Sequence, residues 1–143
     1  MNLQAALDAL THADARQRDL AADQLGDLLR TAALTQADTE RAVTHLVTVA
    51  VTDADWTVRE SALNSIVEAF NGKQLPLRLF QPLQHHLAAM PPALLDHALY
   101  ILAATHDPAA RPAIEAFINH PDSNVRRYAA EALSELPGRH TAT

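Results

Sequence analysis

The feature that most constrains this chain is a short motif that recurs at the start of helix-like segments. Residues 55–59 read Asp-Trp-Thr-Val-Arg and residues 122–126 read Asp-Ser-Asn-Val-Arg, so both have the form Asp-x-x-Val-Arg. In both copies an alanine comes three residues after the arginine, and an aliphatic residue comes four positions further on. A chain that repeats such a segment must stack the copies, because each amphipathic copy needs a neighbour to cover its apolar side.

Two weaker copies extend the pattern over most of the chain. One starts at Asp14 and keeps the arginine, as Arg18, whereas the other starts at Pro91 and has neither charged residue. The starts at residues 14, 55, 91 and 122 are 41, 36 and 31 residues apart, and each interval holds a second amphipathic segment. A motif with this period predicts four pairs of helices. The positions expected to be buried between the paired helices are Ala21, Leu25, Ala62, Ile66, Ala98, Leu102, Ala129 and Leu133.

Residue usage supports helix in every segment. Alanine and leucine dominate while only 4% of the residues are aromatic, and this usage favours helix over strand. Residues 43–51 are rich in valine and are the one stretch where a strand competes, but their apolar residues follow the i, i+3, i+4, i+7 spacing of a helix. The turn signals between segments predict about eight helices of roughly 10–18 residues.

The motif and its downstream aliphatic residue resemble the second helix of HEAT repeats, and the resemblance covers nearly the whole chain. It implies an all-α fold, a short right-handed α-solenoid of about four HEAT-like helical pairs. Residues 1–137 are expected to form this single repeat domain. Pro137-Gly138 ends the last helix, and the polar residues 138–143 are expected to form a disordered C-terminal tail.

In that family the motif aspartate usually caps or braces its turn, and the arginine commonly contacts an aspartate of a neighbouring repeat. The resemblance assigns these structural roles to three pairs: Asp14 with Arg18, Asp55 with Arg59, and Asp122 with Arg126. The third repeat opens with Pro91-Pro92 and lacks both residues. We therefore expect the aspartate–arginine ladder to be interrupted there, and the stacking of the neighbouring helices to depart from regularity.

Helical geometry separates the buried side of each motif helix from its outward side. At about 100° per residue, positions five, nine and thirteen after the motif start lie opposite the core positions. In HEAT-like solenoids the second helices line the concave surface, so we expect these side chains to face a binding groove. Eight of the twelve outward residues are acidic. The predicted partner-binding residues are Asp19, Asp23, Asp27, Glu60, Asn64, Glu68, Asp96 and Tyr100.

Charge is unevenly distributed along the chain. The 17 acidic and 11 basic residues give a formal net charge of −6, and all of it falls within residues 1–72. Like charges one turn apart destabilise a helix, so acids kept together, such as Asp19, Asp23 and Asp27, indicate a basic partner. The alternative is a merely solvated surface, and the sequence leaves both interpretations open. The acidic balance disfavours binding to nucleic acid.

The sequence offers little support for a catalytic or metal site. It contains no cysteine and no His-Glu step, which the di-iron hydroxylases among HEAT-like enzymes would require in pairs. His85 and His86 are adjacent and diverge on a helix, whereas His12 and His120 occupy equivalent turn positions that fit repeat punctuation. We therefore predict no catalytic residue, no cofactor and no metal site.

Two aromatic residues each have two interpretations. Trp56, the only tryptophan, follows a capping aspartate and is expected to pack over the inter-helix turn; the alternative is an exposed interface anchor. The repeat frame places Tyr100 in the groove among acids, but a tyrosine that spans core and rim fits the pattern equally well.

These observations favour a non-enzymatic protein-interaction module whose acidic concave surface binds a basic protein. Heavy alanine use with ten arginines and one lysine is typical of bacteria with GC-rich genomes, and a bacterial immunity protein or adaptor is the sharper hypothesis. No apolar run approaches the ~18 residues that span a bilayer, so we expect a cytoplasmic protein without membrane contact. The alternative is an enzyme or enzyme-associated HEAT-like factor, either chromophore-lyase-like or metal-dependent.

Overall fold

The computed structural model describes residues 2–31 and 33–137, and helices are the only regular secondary structure within these ranges. The eight α-helices are α1 (Leu3–Ala9), α2 (Ala15–Arg30), α3 (Gln36–Thr52), α4 (Trp56–Glu68), α5 (Gln81–His86), α6 (Pro92–Ala104), α7 (Arg111–Glu115) and α8 (Ser123–Glu135). Short 3-10 segments span Leu77–Phe80, Leu87–Ala89 and Pro108–Ala110. The predicted all-α fold is confirmed, and the valine-rich stretch lies in α3. The tail expected over residues 138–143 lies outside the described residues.

The chain divides into two compact units, Met1–Leu75 and Pro76–Thr143. In the first unit α1 packs on α2, α3 packs on α4, and α2 packs on α4. In the second unit α6 and α7 both pack on α8. Three of the four pairs that the repeats predict are therefore present, α1 with α2, α3 with α4 and α7 with α8. The single domain over residues 1–137 stays a prediction.

The motif aspartates begin the second helices as N-caps. The side chain of Asp14 accepts a hydrogen bond from the backbone N–H of Arg16. Asp55 and Asp122 each accept from the two backbone N–H groups that lie two and three residues further on. These contacts satisfy N–H groups that a helix leaves without an internal partner. The capping role expected of the three aspartates is confirmed.

A second cap lies two residues before each of these aspartates. The ring Nδ1 of His12 accepts from the backbone N–H of Asp14 at 3.0 Å, and that of His120 accepts from Asp122 at 3.1 Å. In the second repeat the carboxylate of Asp53 takes this place and accepts from Asp55 at 2.9 Å. The equivalent histidines therefore brace turns, as their spacing predicts.

The first helices of the second unit are shorter than the predicted lengths. α5 has 6 residues and α7 has 5, and each follows directly on a 3-10 segment. Pro82 and Pro112 lie in the first turn of these helices. Because proline has no N–H to donate to the residue four positions back, neither stretch can continue as one α-helix. The irregular stacking expected around Pro91-Pro92 stays a prediction.

The predicted core positions are buried with one exception. Ala21, Leu25, Ala62, Ile66, Ala98, Leu102 and Ala129 are 0–1% exposed. Leu133 is half-buried instead. It lies in the last described helix, which packs mainly on α6 and α7, so fewer neighbours cover its far end.

Replacing Ala62 with leucine is expected to lower the free energy of unfolding by about 1–3 kcal/mol. Ala62 is completely buried in α4, which packs on both α2 and α3, so a larger side chain must displace its neighbours. Urea unfolding measures the loss. The matched control is Asn64→Leu, at an exposed position of the same helix, for which we expect a change within about 0.5 kcal/mol. Equal stability of Ala62→Leu and the wild type would contradict close packing here.

Candidate functional site

Helices α2 and α4 lie side by side and parallel in the first unit. The hydroxyl of Ser61 donates to the carboxylate of Asp19, and Ser65 Oγ donates to the carbonyl oxygen of Ala22 at 2.6 Å. Near the other end of both helices, Arg30 Nε donates to Glu68 Oε1 at 2.7 Å. Equivalent positions of the two repeats are thus neighbours. The outward positions predicted on α2 and α4 are here called the acidic surface: Asp19, Asp23, Asp27, Glu60, Asn64 and Glu68.

A glycine and a serine allow this close approach. A Cβ at Gly26 would lie 2.5 Å from Ser65 Oγ and 3.3 Å from Ser65 Cα. Ser65 is itself buried, and its hydroxyl uses the Ala22 carbonyl as its acceptor. Sequence reasoning did not identify Gly26, because an isolated glycine inside a helical pattern has several explanations. The small residue sets the distance between the two helices that carry the acidic surface.

Asp23 lies in the middle of the acidic row on α2. Partial burial raises the pKa of Asp23 above its ordinary value, and the charges of Asp19 and Asp27 raise it further. The nearby Ser61 hydroxyl acts in the opposite direction. Both neighbouring acids are one turn away, and no cation among the described residues forms an ion pair with Asp23. The aspartate row therefore opposes ionisation at its centre.

The opposite end of the acidic surface carries a cation that the repeat frame did not predict. Arg30 pairs with Asp27 at 2.8 Å and with Glu68 at 2.7 Å. Arg30 lies beyond the three outward positions of the repeat frame, which therefore gives the acids as an uninterrupted row. The unneutralised acids of α2 are consequently concentrated in its first half.

An open groove of about 380 Å³ runs along this first half of α2. It is lined by Asp14, Arg16, Gln17, Asp19, Leu20 and Asp23. Leu20 is one of the few large apolar side chains that are exposed. The groove thus combines carboxylates with an apolar contact.

Replacing Asp23 with asparagine is expected to raise the free energy of unfolding at pH 7, by roughly 0.2–0.5 kcal/mol for each like-charge pair removed. The pKa of Asp23 is higher in the folded chain than in the unfolded chain. Wild-type stability therefore falls as pH rises from the ordinary value through the folded-state value, and the gain of Asp23→Asn should grow over that window. Urea unfolding at about pH 4 and pH 7 tests this. Asp27→Asn is the control, because Asp27 already pairs with Arg30 and should show no gain.

Arg18 makes the contact expected of the motif arginine, with an aspartate of the next repeat, Asp53. Its Nε and Nη2 donate to the two carboxylate oxygens of Asp53 at 2.8 and 3.0 Å. The carboxylate of Asp55 caps α4. Arg18 therefore binds the carboxylate of Asp53, two residues earlier. Arg59 and Arg126 donate to backbone carbonyls instead. Among the described residues, Arg18–Asp53 is the one motif-arginine contact with an aspartate of another repeat.

Asp53 is largely enclosed, with 7% of its side chain exposed. Burial by itself would raise the pKa of Asp53, but the Arg18 hydrogen bond, the Asp55 backbone N–H and the arginine charges outweigh it and hold the pKa below its ordinary value. The Asp53 carboxylate is thus kept ionised in the turn. Its role is to connect two repeats, and it does not serve as a ligand-binding group.

The remaining predicted site residues and the tryptophan lie on exposed surface. Asp96 and Tyr100 are exposed on α6 in the second unit, and Tyr100 is 55% exposed. Trp56, at the start of α4, is 52% exposed, so it is not buried over the turn as expected. The Arg59 guanidinium lies over the ring, 4.6 Å from its centroid.

Within residues 2–31 and 33–137, no group of three or more histidines and acids is arranged to hold a metal ion. None of the helices described there is both long and apolar enough to cross a membrane.

Known proteins are similar to this chain in part of its sequence and in its fold. Residues 80–143 match the family described as HEAT repeats, and no curated protein matches the chain. Two engineered proteins of known structure are similar over 94% of this chain, with a TM-score of 0.66 and identities of 19% and 20%. The complex of CpcE and CpcF of phycocyanin lyase from Nostoc sp. is similar over 95%, with a TM-score of 0.63 and 18% identity. The chain spans 62–65% of the length of these structures, and at such identities the similarity shows the fold.

Proposed function

Because residues 80–143 match HEAT repeats and the fold is similar to repeat-protein structures, we propose that the chain is a non-enzymatic interaction module whose acidic surface on α2 and α4 binds a basic protein. HEAT-repeat scaffolds are typical of protein-interaction modules and are generally non-catalytic. The observation that carries the proposal is the aspartate row of α2, whose central carboxylate, Asp23, lies between Asp19 and Asp27 without an ion pair to any described cation. A cationic partner side chain would relieve this repulsion. Asp96 and Tyr100 of α6 are proposed as further contacts.

A surface of this kind should act mainly on the rate of association. The field of a concentrated charge steers an oppositely charged partner, and the effect weakens as salt screens it. We therefore expect association to be fast at low salt and to slow as the ionic strength rises. Dissociation should depend less on salt, because close packing controls it more than the long-range field does.

The test begins with the partner, identified by co-purification from the native host and mass spectrometry. The double variant Asp23→Lys with Glu60→Lys should then slow association by about tenfold or more at low salt, and high salt should reduce that difference. The matched control, Asp8→Lys with Asp38→Lys, changes the net charge equally on α1 and α3, outside the predicted outward positions, and should have a smaller effect. Equal, salt-insensitive rates for all three proteins would show that the acidic surface is only solvated.

We further propose that the chain is a cytoplasmic bacterial protein, either an immunity protein that blocks a basic toxin domain or an adaptor. The acidic surface and the arginine-to-lysine ratio of ten to one support this choice. A toxin gene directly upstream, together with inhibition of the encoded toxin by the purified chain, would favour immunity. A stable complex with a non-toxic enzyme would favour the adaptor.

A lyase-associated factor is the second candidate, favoured by the similarity to the phycocyanin lyase complex. In that structure two chains, CpcE and CpcF, form one complex. This candidate predicts activity only after assembly with a second protein. The metal-dependent variant of the hypothesis additionally predicts stoichiometric bound metal, which elemental analysis of the purified protein measures.

A further inference from the structure

Trp56 extends the outward row of α4 beyond the acids. Trp56, Glu60 and Asn64 are spaced four residues apart, so they share one side of the helix, and all three are exposed. An indole ring buries more apolar area at a contact than almost any other side chain, yet about half of this one faces solvent. The acidic surface therefore borders a large apolar group.

Arg59 holds the exposed ring in place. Its guanidinium lies 4.6 Å from the ring centroid, and its Nε donates to the carbonyl oxygen of Ala50 in α3 at 2.7 Å. The arginine is thus anchored to a backbone group of the neighbouring helix, and its stacking restrains the indole. A side chain that is already ordered loses less conformational entropy when a partner binds, which favours its use as an anchor.

We propose that Trp56 is the apolar anchor of the acidic surface, and that its occupant is a basic partner segment in which an apolar side chain is flanked by lysines or arginines. The basic character of this partner segment rests on the proposed function. Solvent-exposed carboxylates accelerate the encounter with a basic partner but contribute little net affinity. Most of the binding energy of an interface comes from a few residues, among which aromatic anchors are enriched. Arg59 already covers part of the ring with positive charge, so the exposed remainder suits an apolar group better than a second cation.

The chain contains one tryptophan, so its fluorescence reports on this position alone. The probe is a synthetic amphipathic lysine–leucine peptide without aromatic residues, compared with a lysine–alanine peptide of equal length and charge. We expect the lysine–leucine peptide to shift Trp56 emission to the blue, to reduce acrylamide quenching several-fold and to bind at least tenfold more tightly. Calorimetry with Trp56→Ala should show that the affinity for the lysine–leucine peptide falls at least tenfold. This variant should bind the lysine–leucine and lysine–alanine peptides equally.

Two controls keep the test specific. Ile118→Ala removes an exposed apolar side chain from the second unit and should leave both affinities unchanged. Arg59→Gln keeps the indole but removes the guanidinium over it, and should weaken the lysine–leucine complex several-fold while lowering tryptophan anisotropy in the free protein. Circular dichroism and urea unfolding verify that each variant is folded.

The outcomes separate this proposal from the proposed function. If the reversal of Asp23 and Glu60 weakens binding of both peptides, Trp56→Ala binds them like the wild type, and neither peptide changes the Trp56 emission of the wild type, the anchor is wrong and the acidic surface stands. If Trp56→Ala weakens binding but the reversal does not, the anchor is supported and the acidic surface is wrong. If neither peptide binds the wild type, the anchor proposal is overturned.

Discussion

Replacing Asp53 with alanine is expected to lower the free energy of unfolding by about 1.5–3 kcal/mol, the range for hydrogen bonds to charged groups. Asp53 accepts two hydrogen bonds from Arg18 and one from the backbone N–H of Asp55. The alanine variant leaves these donors without their acceptor in a largely enclosed turn. Urea unfolding at pH 7 measures the loss. Asp53→Asn retains one acceptor oxygen without the charge and should lose less.

The effect of Asp53→Ala should depend on pH in a defined direction. The pKa of Asp53 is lower in the folded chain than its ordinary value of 3.8. Its contribution is therefore complete above that value and is lost as pH falls through the folded-state pKa. The difference between wild type and variant should narrow in acid. Asp8→Ala, at an exposed acid of α1, serves as the control, with an expected change within about 0.5 kcal/mol. A constant difference down to strongly acidic pH would contradict the ion pair.

Replacing Gly26 with alanine is expected to lower the free energy of unfolding by about 1–3 kcal/mol. Alanine would stabilise an isolated helix by about 1 kcal/mol relative to glycine, so the sign of the effect is informative. The new Cβ would lie 2.5 Å from Ser65 Oγ and 3.1 Å from Ser65 Cβ. The helices must therefore move apart, or Ser65 must abandon its hydrogen bond to Ala22.

A double-mutant cycle identifies the cause of that loss. Ser65→Ala removes the hydroxyl closest to the new methyl group, so Gly26→Ala should be less harmful in the Ser65→Ala background. We expect a coupling of roughly 0.5–3 kcal/mol between the two positions, as for residues in contact. Additive losses, or a stabilising Gly26→Ala, would show that α2 and α4 are not held at this distance.

The sequence motif predicted a residue's role correctly where that role depends on contacts within one repeat. The caps at Asp14, Asp55 and Asp122 act on N–H groups two or three residues away, so the local order of residues is enough to predict them. The buried alanines and leucines follow from the helical period. The same motif was a poorer guide to ion pairs, since only Arg18 among the described motif arginines contacts an aspartate of another repeat, whereas Arg59 and Arg126 donate to backbone carbonyls.

The acidic surface contains both predictable and unpredictable features. Its members Asp19, Asp23 and Asp27 could be predicted because they are spaced four residues apart on one helix. That Arg30 joins Asp27 to Glu68 could not be predicted, because the pairing spans two helices and depends on their register. The exposure of Trp56 could not be predicted either, since it depends on how α3 presents the Ala50 carbonyl to Arg59.

The sequence by itself determined the helical class, the repeat, the caps and the positions that face inward, because each follows from interactions within a few residues along one helix. Only the tertiary structure decided the partner of Arg18, the neutralised end of the acidic surface and the exposure of the indole. These depend on side chains that approach each other from different helices. Their distances are set by how closely the backbones pack, and in the first unit that closeness depends on Gly26 and Ser65.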